Sequence, residues 1–99
     1  MKPERELTEL PANLVLERTT DVFDNDSVPA GLLRTHRTAS GVWGRLVVRQ
    51  GSLRFVFEDQ ADQPITVTEG DHVAIAPSRR HHVELTDPAT FVVEFYREP

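Results

Sequence analysis

Four histidines, His36, His72, His81 and His82, are the residues with the plainest capacity for chemistry in this sequence. Neutral imidazole is the commonest protein ligand for divalent metals. His36 and His82 fall in separate strand-like stretches. Brought together inside a small barrel, they would hold a divalent ion with positions left open for a ligand. The alternative for each is an ordinary place, in solvent or hydrogen-bonded within a core. His81 precedes His82 and is expected on the opposite face of the same strand, because side chains alternate. His72 follows Asp71 in a turn and is expected in water. There is no cysteine, which excludes a disulfide scaffold, a thiolate nucleophile and a cysteine-based zinc site. Ser27, Ser40, Ser52 and Ser78 all sit in turn-like sequence, so no nucleophile–base pair stands out and no catalytic residue is assigned.

The charged residues narrow the partners. Of 11 Lys and Arg, Lys2 is the only lysine, and the planar fork of Arg suits carboxylates and oxyanions. Arg34, Arg37 and Arg45 lie near His36 in sequence and are candidates to grip an anion. Arg45, however, alternates with Leu46 and Val48, which favours an outward direction. A formal charge of −5 argues against nucleic acid, whose phosphates need a basic face. The segment Met1 to Glu6 is charged and lacks the apolar centre of a signal peptide. No apolar run nears the roughly 20 residues that span a bilayer. No membrane partner is expected, and the cytoplasm is the expected compartment.

The elements that must position these residues are short and β-like. Residues 1–12 read as a polar arm and residues 13–99 as one all-β domain, a size typical of single domains. Strands are expected at Leu14-Val15-Leu16, Leu32 to His36, Arg45 to Arg49, Leu53 to Phe57, Ile65 to Thr68, Val73 to Ile75, Val83 to Leu85 and Phe91 to Tyr96. Asp24-Asn25-Asp26-Ser27 is turn chemistry, and Gln50-Gly51 reads as the tight turn of a hairpin. About eight or nine strands at such spacing indicate a sandwich or barrel. Trp43, the single tryptophan, is expected as a packed anchor. The strand edges of so small a domain favour a homodimer.

Two sets of residues resemble known families. Gly70, Pro77 and His82 resemble the second cupin motif, in which a metal-ligating His follows the Pro by five residues. Arg79 stands where that motif has a Gly, and one extra residue separates Gly70 from Pro77. Of the first cupin motif, Gly51 matches the terminal Gly and His36 falls near the first His. Thr38 replaces the second His and Gly44 the Glu. A closer likeness comes from Pro29 to His36, Gly41 to Leu46, Pro77 to His82 and Val93 to Tyr96, which together resemble the small TehB/YeaR-like cupins over most of the chain.

That resemblance implies a double-stranded β-helix, or jelly-roll barrel. It marks His36, Arg45, His82 and Glu94. It implies that His36 and His82 line the barrel and bind zinc, or else iron or nickel, with Glu94 as a third ligand or as the partner of a liganding imidazole. Arg45 would contact the bound ligand. The expected function is a divalent metal with a small polar molecule or oxyanion in the barrel. The alternative is a stress-response accessory that holds a small ligand or oxyanion without metal. The family name links it to tellurite resistance.

Overall fold

The computed structural model describes residues 9–99; most of the expected polar arm lies outside the described residues. Six strands are present among them: β1 (Val15–Thr19), β2 (Trp43–Phe57), β3 (Ile65–Thr68), β4 (His72–Ile75), β5 (His81–Glu84) and β6 (Ala89–Arg97). All their pairings are antiparallel. The fold is all-β, as expected.

β2 organises the molecule. It is one strand of 15 residues, and the expected hairpin at Gln50-Gly51 does not exist. The first half of β2 pairs with β4 and β6, and β6 carries β1 on its far side. The second half pairs with β3 and β5. Between the halves the register against β6 shifts, between Val48 and Gln50. A bulge of this kind adds a residue to one strand and bends it. Its effect is readable in the burial. Inward residues are even-numbered before the bulge (Gly44, Leu46, Val48) and odd-numbered after it (Leu53, Phe55, Phe57). Gly51 makes the bend possible. Its φ is +76°, and a Cβ built there would lie 2.0 Å from the carbonyl oxygen of Pro88, so no larger residue fits.

The two half-sheets close on a core of Leu46, Leu53, Phe55, Phe57, Val73 and Phe91, with further valines between them. The loop before β2 lies against this core. Asp24 forms the expected turn, its Oδ1 accepting from the backbone N–H groups of Asp26 and Ser27 at 2.9 Å each. Asn25 ties that turn to the loop before β6, donating to the carbonyl of Asp87 and accepting from the N–H of Ala89. Phe23 bridges to Phe91 and packs edge-on against its ring. The segment expected as a strand from Leu32 to His36 is instead a 3-10 turn, Ala30–Leu33. Just after it the backbone bridges to β5, where His36 and His81 exchange hydrogen bonds of 2.9 Å.

Candidate functional site

That single bridge sets the site. His81 opens β5 opposite Phe57, and His82 lies opposite Val56. Phe57 faces the core, so His81 does too. It is 2% exposed, and its ring stacks on Phe55 at 5.2 Å between centroids. The His36 ring meets it edge-on at 4.2 Å. The two imidazoles that meet are therefore His36 and His81. The expected pairing of His36 with His82 is wrong by one residue, and one residue reverses the face of a strand. The clue was present in the sequence, since His81 is in phase with Val83 and Leu85.

Both rings are held the same way. His36 Nδ1 is 2.9 Å from the carbonyl oxygen of Arg34, and His81 Nδ1 is 2.7 Å from that of Arg79. A carbonyl can only accept, so Nδ1 carries a proton in each ring, which leaves Nε2 as the nitrogen that can offer a lone pair. Burial lowers the His81 pKa from 6.5 to about 4, opposed by the bond to Arg79 and assisted by His36 beside it. His81 is neutral at physiological pH.

The pair borders a cavity of about 140 Å³ inside the barrel. Its walls are mainly apolar, including Leu32, Leu46, Phe55, Ile75 and Phe95. His36, His81, Arg37 and Thr38 supply its polar border. Behind Ile75, Gly44 of β2 is buried, with the Ile75 side chain packed where a Cβ would stand.

His82 is turned outward into a separate cluster. Its Nδ1 bonds Glu58 and its Nε2 lies 3.0 Å from Glu84. Thr35 donates to the same Glu58 oxygen at 2.8 Å. The bond to Glu84 raises the His82 pKa most, with Glu58 adding to it against some desolvation. Glu58 is lowered by its bonds to His82 and Thr35. Glu94 is elsewhere again. It faces Arg45 across β6 and β2, on the outer side of a sheet whose inner side carries Leu46 and Val93. Glu94 Oε1 accepts from Arg45 Nε at 2.7 Å and from the Tyr96 hydroxyl at 2.6 Å. Desolvation would raise the Glu94 pKa, but those two bonds bring it below the ordinary value. Arg45 and Glu94 thus satisfy each other outside the barrel, which corrects their expected places in a ligand site. Trp43 lies opposite Tyr96 on the same outer side, half-buried. Among the described residues, no group of three or more His, Cys, Asp or Glu is arranged to hold a metal ion.

A family model, the TehB-like domain, matches residues 18–93. The chain belongs to the TehB-like family. This TehB-like domain is 28% identical to the uncharacterized protein YeaR of Escherichia coli (strain K12), over 94% of its own length and 86% of YeaR's. A crystal structure of an Escherichia coli (strain K12) protein superposes with a TM-score of 0.81 at 26% identity, covering 92% and 88% of the two chains. TehB from Haemophilus influenzae superposes at 0.79 with 27% identity, over 88% of this domain but 32% of that chain. A cupin-2 domain protein from Shewanella frigidimarina, at 16% identity and TM-score 0.54, shares the fold alone. The domain is a cupin-type barrel. Among its described residues no helix is long and apolar enough to cross a membrane.

Proposed function

We propose that this TehB-like domain binds a small molecule inside its barrel, with an apolar body against the core and a hydrogen-bonding end at His36 and His81. One observation carries the reading: an apolar cavity of about 140 Å³ bordered by two imidazoles whose Nδ1 protons are already committed to backbone carbonyls. An apolar cavity of roughly 150 Å³ accommodates benzene, so a body of about six heavy atoms fits. The free lone pairs favour a donor on that body, such as a hydroxyl. Phenol is therefore the probe. Titrated into labelled protein, it shifts the amide resonances of Leu32, Ile75 and Val83. His36→Ala and His81→Ala each weaken binding by about five-fold or more, the loss of one hydrogen bond. No shift at saturating phenol refutes the reading.

A second reading is a divalent ion on the same two rings. It is favoured by the shared Nδ1-to-carbonyl arrangement, which is how ligating histidines are commonly oriented. The donor set, two imidazoles, suits zinc, iron or nickel. His36 and His81 would hold such an ion, and its remaining positions would polarise an oxygen of the bound molecule. His82 and Glu94 take no part, being paired outside. Metal analysis of the purified protein separates the two. Near-stoichiometric metal lost in both His36→Ala and His81→Ala supports the ion, and metal unchanged in either variant removes it.

A further inference from the structure

The wall of the cavity continues outward. Thr38 and Phe95 line the interior cavity and also an open groove on the surface, which adds Glu17, Arg18, Ala39 and Val42. The two spaces therefore lie back to back, with Thr38 and Phe95 between them. Arg37 is exposed and stands at the rim of the inner cavity, where it is the one Lys or Arg on the lining. Arg18 belongs to the outer side and lies over the Phe95 ring at 4.7 Å.

Like Arg34, Arg49 and Arg80, these two arginines hold no carboxylate among the described residues, whereas the other four do. Arg45, Arg54, Arg79 and Arg97 each hold a carboxylate within 3.4 Å. Among the described residues no carboxylate pairs with Arg37 or Arg18. Glu17, the acid in the groove, is held by Arg97 at 3.1 Å. Thr38 cannot compete for a ligand easily, since its hydroxyl donates to the carbonyl of Val42 at 2.8 Å. In a chain with 16 acidic and 11 basic residues, two unpaired cations on either side of one thin wall form a local positive field. A guanidinium with free donors is best satisfied by a carboxylate or similar oxyanion.

Building on the proposed cavity, we propose that its ligand is a small organic anion. Its apolar body lies in the barrel with a donor toward His36 and His81, and its anionic head lies at the Thr38–Phe95 wall facing Arg37, with Arg18 beyond. Discrimination by charge then comes from Arg37, and discrimination by size comes from the core walls.

The test compares three probes of one body: phenol, 4-hydroxybenzoate and 4-hydroxybenzylamine, followed by calorimetry and by amide shifts at low salt. The expected result is that the carboxylate binds about five-fold more tightly than phenol, the upper range for a partly exposed ion pair, and that the amine binds worst. Arg37→Gln reduces the preference to near one, and added salt erodes the preference in the native protein. Phenol binding equal to or tighter than 4-hydroxybenzoate overturns the anionic head and leaves the cavity reading standing. A preference that survives intact in both Arg37→Gln and Arg18→Gln overturns the assignment to these arginines. If no probe binds, the cavity reading itself falls.

Discussion

A buried neutral histidine makes a protein acid-sensitive in a way that can be measured. The His81 pKa falls from 6.5 to about 4 on folding, chiefly because burial disfavours the charged ring. In the unfolded chain the ring binds a proton below 6.5, whereas in the folded chain it resists one until about 4. The unfolded state therefore holds more protons across that window, and stability declines as pH falls through it. Two and a half decades at about 1.4 kcal/mol each give about 3.5 kcal/mol in full, of which about 2.5 kcal/mol is lost between pH 7 and 4.5. Against a total of about 5–15 kcal/mol for a domain of this size, that is a large fraction. The perturbation is His81→Asn, which keeps an N–H donor for the Arg79 carbonyl and cannot titrate. Its own cost, from the smaller side chain, is about 1–2 kcal/mol and independent of pH. Urea unfolding of both proteins at steps from pH 4.5 to 7, after dialysis against chelator, gives two curves. Paired carboxylates common to both cancel in the difference. The curves should close and then cross on the acid side, the native protein losing about 2.5 kcal/mol more than the variant. Parallel curves would refute the assignment of His81 as the buried, proton-resisting ring.

The outward cluster predicts the opposite sign. Because the His82 pKa is raised by Glu84 and Glu58, its contribution is complete below 6.5 and fades as pH rises through the folded value. His82→Gln should flatten the thermal-melting profile above neutrality and lower the melting temperature most below it, where the charged ring is paired. Gly51→Ala should cost more than about 2 kcal/mol by urea unfolding, since a positive φ and a blocked Cβ act together there. Glu94→Ala should destabilise by about 1–2 kcal/mol, because it strands a partly buried guanidinium and hydroxyl. It should leave phenol affinity and metal content unchanged, as expected for a residue outside the barrel.

The strands were legible where alternation was clean. Ile65 to Thr68, Val73 to Ile75 and Phe91 to Tyr96 occur close to their expected places, since a half-buried strand writes its two faces into its sequence. Gln50-Gly51 misled because glycine with positive φ serves a bulge as readily as a hairpin, and the two differ in partners distant along the chain. The change from even to odd inward positions was already visible there and distinguishes them. Leu32 to His36 misled for a related reason, as a short apolar pair reads alike in a strand and in a 3-10 turn. His36 borders the cavity beside His81, but the motif spacing pointed to His82 while the phase of Val83 and Leu85 pointed to His81. The extra residue between Gly70 and Pro77 is the irregularity that a motif of fixed length does not absorb. The outward direction of Arg45 followed from alternation on β2; its pairing with Glu94 on β6 is a tertiary fact that no local pattern encodes.

The unbroken run of β2 through both halves has a consequence for how the molecule opens. A hairpin at Gln50-Gly51 would have left two ladders able to fray separately. Here a single spine is hydrogen-bonded to β3, β4, β5 and β6 alike, so releasing any one ladder weakens the next. Slow amide exchange along 44–57 should therefore report one opening event, with protection factors that converge on the global value. Cutting the chain at this bend, as in a circular permutant, should abolish folding instead of yielding two loosened halves.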